Sequence, residues 1–213
     1  AFGYAGQAFC YFMALNYASA SVVSLLLYTY PALVMIGSVI FFKERITTRK
    51  IVSLGFALVG AFVIIGSEFD ASPPGIILAV MTAVVYSIYI LINSRIVKAG
   101  MGIQSSAFIM LGAVFVYGIM NLFAGFVPPT KTVGFVAIFL IAMISTVLAF
   151  WSFLTGMERT GASTAALVST LEPVVTVSSS VIILSEKLTL NIVLGGVLVL
   201  TALIITLPAK EST

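Results

Sequence analysis

The sequence predicts an all-α integral membrane protein of about eight transmembrane helices with an inverted internal repeat. Three observations carry this: an apolar composition, charges confined to short clusters, and a stretch that recurs at a fixed offset. The chain of 213 residues is 61% hydrophobic and only 8% charged, with a mean hydropathy of +1.23. A soluble globule carries about 25% charged residues, so this chain has too little polar surface to face water all round.

The charges fall mainly at 43–50, 68–70, 95–98, 158–159 and 186–187. The runs between them are long enough to cross a bilayer as helices. The expected spans are 1–17, 19–42, 51–66, 75–94, 103–127, 133–157, 162–185 and 190–208. Continuous apolar runs such as Ile192 to Leu207 do not alternate, which excludes a membrane β-barrel. The first stretch opens mid-pattern at Ala1 and Phe2 without a basic leader. It therefore does not read as a secretory signal, and the start is expected to be truncated.

The stretch around Pro31 reappears around Pro173 at an offset of 142 residues, which also aligns Ala20 with Ala162, Leu25 with Leu167, Ser38 with Ser180, Glu44 with Glu186 and Thr47 with Thr189. If successive spans alternate in direction, one side of the membrane collects Lys43, Arg45, Arg49, Lys50, Arg95, Lys98, Arg159 and Lys210. The other side has only Lys131 and Lys187, with Glu68 and Asp70. Positive residues mark the cytoplasmic side, so both termini are expected there. Spans one to three then match spans six to eight across an odd number of helices, and the two copies are expected to lie upside down relative to each other. Inverted repeats around a midplane site are the architecture of alternating-access transport.

Polar side chains at helical spacing mark the faces turned away from lipid. Span one carries Tyr4, Gln7 and Tyr11; span four carries Thr82, Tyr86, Tyr89 and Asn93; span seven carries Ser169, Glu172, Thr176 and Ser179. Glu172 is the sharpest member, a carboxylate at mid-span immediately before Pro173. A charge at that depth costs several kcal/mol if it faces lipid, so it is expected to bind a substrate amine or cation or to carry a proton. The bland reading is an acid hydrogen-bonded to backbone freed at a proline kink. Tyr30 takes the matching position in the first copy. Pro31 and Pro173 are expected to kink their helices and are candidate gating points, with a static kink as the alternative. Trp151 is a candidate aromatic wall of a ligand cavity, or else packing. Gly55, Gly60, Gly195 and Gly196 read as close-packing positions, and Glu44 and Glu186 as capping or pairing groups at the membrane surface.

The run ALNYASASVVSLLLYTYPALVMIGSVIFFKERIT, echoed by GMERTGASTAALVSTLEPVVTVSSSVIILSEKLT, resembles the EamA-like families of the drug/metabolite transporter superfamily. The resemblance covers essentially the whole chain. It implies ten helices in two inverted five-helix repeats around a central cavity, and many such proteins export amino acids or other small metabolites. Against that pattern the chain looks like helices three to ten, with an incomplete first repeat of three helices at 1–66 and a complete five-helix second repeat at 75–208. The family's first helix, which contributes to the cavity, has no counterpart in that alignment.

The functional expectation is a secondary active transporter in the cell membrane of a bacterium, exporting a small metabolite. Its partners would be that small molecule, the lipid bilayer and a coupling proton or ion. The substrate-binding candidates are Glu172, Tyr30, Tyr11, Gln7, Tyr86, Tyr89, Asn93 and Trp151. With no histidine and one cysteine, Cys10, neither a metal nor another cofactor is expected. An intramembrane enzyme would need a nucleophile and a base, and no such set is present. The other rival is a non-transporting subunit or an incomplete transporter. Nucleic-acid binding has no support, because topology already accounts for the basic residues.

Overall fold

Spans two and seven, each expected as one kinked helix, are each two helices in the computed structural model. The structure describes residues 2–65, 71–96, 101–124, 128–184 and 189–206. Glu68, Asp70, Lys98, Glu186, Lys187 and Lys210 lie outside the described residues, as do the outer ends of several expected spans. In chain order the helices are α1 (Phe2–Ala14), α2 (Ala20–Leu27), α3 (Tyr30–Phe42), α4 (Thr48–Ile65), α5 (Pro73–Ile96) and α6 (Gly102–Ala124). They continue with α7 (Thr132–Leu140), a π-helical stretch (Ile141–Leu148), α8 (Ala149–Thr160), α9 (Ala162–Ser169), α10 (Glu172–Leu184) and α11 (Leu190–Thr206). Among the described residues, Val22–Phe42, Pro73–Ile96, Gly102–Ile119 and Thr132–Thr160 are long and apolar enough to cross a membrane. The protein is a multi-pass helical membrane protein.

The breaks have the same local chemistry in both copies. Thr29 donates its hydroxyl to the Leu26 carbonyl at 2.6 Å, and Thr170 donates to the Leu167 carbonyl at 2.6 Å. The backbone N–H of each threonine reaches the same carbonyl at 3.2 Å. Each proline therefore sits as the second residue of a new helix, where its missing N–H was never needed and its fixed φ suits the first turn. At both places the backbone stays in the right-handed helical region, with φ −76° and ψ −13° at Thr29 and φ −66° and ψ −4° at Thr170, so each interruption is one tight turn between two helical segments. The starts match too: Ser19 caps α2 by accepting from the Val22 N–H, and Gly161, at the same place in the repeat, caps α9 with φ of 81°. That left-handed backbone suits glycine and lets α8 turn directly into α9.

Helices α4 and α11 pack along their length. Ser53 donates to the Ala202 carbonyl at 2.7 Å, and one to two turns further along α4 Gly60 lies against Gly195 and Val199. Rising through α4 means descending through α11, so the two run antiparallel. The 142-residue offset takes Ser53 to Gly195 and Gly60 to Ala202, so one contact pair maps onto the other. Gly55 and Gly196, also expected to allow close packing, face open space. Helices α1 and α5 are antiparallel as well, with Gly3 against Tyr89, Gly6 against Val85, and Gly75 against the Tyr17 backbone. The main core gathers Tyr30 and Val34 of α3, Ala83, Tyr89 and Ile90 of α5, Leu154 of α8 and Ala166 of α9. By contrast, the long Thr132–Thr160 segment is largely peripheral, with Phe135, Phe139, Ile144 and Trp151 exposed. Such apolar exposure is what a lipid-facing helix requires.

Candidate functional site

The two breaks border one cavity. It has a volume of about 450 Å³ and is lined by Tyr4 and Gln7 of α1, Leu27 and Tyr30 at the first break, Tyr86 and Tyr89 of α5, and Ser169 and Glu172 at the second break. Ser145 of the π-helical stretch and Ala149, Phe150 and Phe153 of α8 complete it.

Glu172 is the first residue of α10, and its side chain is accessible from the cavity. The first N–H groups of a helix have no intrahelical partner and carry a partial positive charge. At the head of α10 the Glu172 carboxylate meets no basic side chain among the described residues that line the cavity. The Tyr28 hydroxyl lies against it. Tyr30, the repeat counterpart, is fully buried, and its hydroxyl donates to the Ala166 carbonyl at 3.4 Å. Ser87 of α5 donates to the Tyr30 carbonyl at 3.2 Å. Tyr30 thus ties α3, α5 and α9 together at the break and offers the cavity its ring more than its hydroxyl.

The aromatic lining is continuous. Phe150 meets Tyr4 edge to face at 4.7 Å between centroids, and Tyr4 lies 6.4 Å from Tyr89. Tyr89 is near-parallel to Tyr86 at 6.1 Å, and Tyr86 contacts Tyr30 at 4.7 Å. The Tyr89 hydroxyl is buried and has no hydrogen-bond partner among the described residues. Buried polar groups are nearly always paired, and this oxygen is enclosed by the packing around the ring instead of facing the open space of the cavity.

Of the residues singled out from sequence, the structure brings Glu172, Tyr30, Gln7, Tyr86 and Tyr89 together at this cavity. Tyr11 lies elsewhere: its hydroxyl is 3.2 Å from Ser24 Oγ, and it packs on Ala14, Val23 and Ala79. Asn93 donates to the Tyr89 carbonyl at 2.7 Å and lines a separate cleft with Gly3, Ile92 and Ile109. Trp151 is 43% exposed on the periphery. Pro31 and Pro173 are buried just behind the breaks. Sequence reasoning missed Phe150 and Phe153, whose spacing of three was a usable signal, and Leu27 one turn before Tyr30. Among the described residues no three Cys, Asp or Glu side chains gather as a metal ligand set.

The EamA-like transporter family matches this chain over residues 1–66 and 73–207. A Bacillus subtilis (strain 168) protein named "uncharacterized transporter YcbK" is 27% identical over 206 residues, which cover 88% of this chain and 65% of that protein. An "uncharacterized transporter" of Archaeoglobus fulgidus is 29% identical over 194 residues, covering 89% of this chain and 68% of that one. The chain thus spans about two thirds of the length of these relatives. A solved crystal structure, titled "Crystal structure of protein", superimposes with a TM-score of 0.84 over 96% of this chain and 72% of its own. At 21% identity that likeness speaks for the fold alone. By the span and number of its matched residues, the chain belongs to the EamA-like transporter family.

Proposed function

We propose that this membrane transporter is a secondary active one that exports a small polar or amphipathic metabolite by alternating access. The carrying observation is the cavity built at two matched helix breaks with Glu172 at its wall. A polar site at the level of interrupted helices between inverted repeats is where secondary transporters hold their solute. The antiparallel run of α4 and α11, mates under the repeat offset, supports an inverted arrangement in which the two copies exchange roles. The breaks next to Pro31 and Pro173 are the flexing points, because a helix that is already interrupted bends without losing further hydrogen bonds. Glu172 binds the substrate or the coupling proton. The protein sits in the cell membrane with both termini cytoplasmic, following the positive charges, and performs no covalent chemistry.

Reconstitution into liposomes with an imposed proton gradient, followed by a screen of labelled metabolites, tests this. The expected result is gradient-driven flux of at least one solute that Glu172→Gln abolishes. Flux unaffected by Glu172→Gln for every transported solute contradicts the role of Glu172. No flux of any solute under any gradient contradicts the transporter reading.

A further inference from the structure

We infer that the cavity takes an organic cation, a quaternary or protonated amine carrying small apolar substituents, in preference to anions and zwitterions. The inference rests on the cavity being a transport site and names the class of solute it holds.

Charge comes first. Among the described residues that line it, Glu172 is the one formal charge, and none is a lysine or arginine. The other polar contributors, Gln7, Ser145, Ser169 and the tyrosine hydroxyls, are neutral. An anion entering would lose its hydration beside a like charge with no cation to compensate. A zwitterion meets the same problem with its carboxylate.

The walls decide what kind of cation. The chain of rings from Phe150 through Tyr4, Tyr89 and Tyr86 to Tyr30, with Phe153 beside it, surrounds much of the space. Aromatic faces attract cations and tolerate methyl groups, the combination that recognises alkylammonium ions. A small inorganic cation such as Mg²⁺ would need a shell of oxygen ligands, which a wall of rings does not provide. A volume of about 450 Å³ suits a small organic molecule.

The test uses three probes of matched shape and different charge: choline, its neutral isostere 3,3-dimethylbutan-1-ol, and the zwitterion glycine betaine. Binding is measured by calorimetry on the purified protein in lipid nanodiscs. Choline is expected to bind about tenfold or more tighter than either of the others. Glu172→Gln should erase that preference while leaving the neutral probe unchanged. Tyr86→Leu should weaken choline by several-fold, and Tyr86→Phe should retain it, which separates loss of a ring from loss of fold. Equal affinity for choline and the neutral isostere, a preference for glycine betaine, or no binding of choline at millimolar concentration overturns the inference.

Counterflow of choline in liposomes separates this inference from the transporter reading. Binding without movement leaves the cation site standing and contradicts transport. Flux of an anion or zwitterion with no choline binding leaves transport standing and overturns the cation site.

Discussion

Gly60 and Gly195 meet backbone to backbone: a Cβ built on Gly60 would lie 2.8 Å from the Gly195 carbonyl oxygen, and one built on Gly195 would lie 2.7 Å from the Gly60 carbonyl oxygen. No side chain fits there without separating α4 from α11. In a bilayer, where lipid tails are as apolar as leucine, helix association depends on this kind of close approach. Gly60→Leu or Gly195→Leu should therefore destabilise the protein by about 1–3 kcal/mol. Gly55→Ala, whose Cβ meets nothing within 4 Å, should stay within about 0.5 kcal/mol of the parent. Unfolding titrations in mixed detergent micelles compare them, and equal losses at positions 55 and 60 would contradict the packing.

A second contact joins the two halves of the chain at Glu44, in the loop between α3 and α4. Ser163 of α9 donates to Glu44 Oε2 at 2.8 Å, and Lys50 Nζ lies 2.7 Å from Oε1. Burial pushes the Glu44 carboxyl up, and the hydrogen bonds from Lys50 and Ser163 outweigh it, so the group titrates below its ordinary value of 4.5. A carboxylate held low in the folded state contributes stability that is present above the ordinary value and is lost as pH falls through the folded one. Melting curves from pH 7 to pH 3 should thus show an acid limb that Glu44→Gln flattens. Lys50→Ala should cost no more than about 1 kcal/mol, since the pair is partly exposed. Ser163→Ala should cost a similar amount, about 1 kcal/mol, for a lost buried hydrogen bond. An unchanged acid limb in Glu44→Gln would show that the contact does not contribute.

The turn that delivers Glu44 depends on Lys43, whose φ of 54° is left-handed. Its N–H reaches the Val39 carbonyl at 3.0 Å, and the Glu44 N–H reaches the Ser38 carbonyl at 3.1 Å, closing the end of α3. Glycine is the residue suited to this position. Lys43→Gly should raise stability by about 1 kcal/mol, and Lys43→Val should lower it, because a left-handed β-branched residue is strained. Thermal midpoints in detergent settle the order, and Lys43→Gly falling below the parent would contradict the account.

How much of this was legible in the sequence depended on what the signal measures. Charge clusters located the spans to within a few residues, because desolvating a charge in lipid is a large penalty that few other forces override. The prolines marked where α3 and α10 begin, but not the tight turn that precedes each. That outcome turned on Thr29 and Thr170 satisfying the carbonyls before them, a local contact with many look-alikes. The stripe Ser169, Glu172, Thr176, Ser179 assumed one helix. With the break at Thr170, the first two line the cavity and Thr176 and Ser179 are exposed away from it. Trp151 was singled out as the lone indole. Helix rotation is set by packing, however, and the i→i+5 turns of Ile141–Leu148 shift the facing of all that follows. The cavity there receives Phe150 and Phe153.

The central claim is that the cavity at the two breaks opens in turn to each side of the membrane. Its most direct test places a single thiol at the cavity wall, Ser169→Cys with Cys10 replaced by alanine, in sealed vesicles of known orientation. A membrane-impermeant thiol reagent is then added from one side or the other. Alternating access predicts labelling from both sides, slowed from both by a transported solute. Labelling from only one side under every gradient and solute, or from neither, would contradict it.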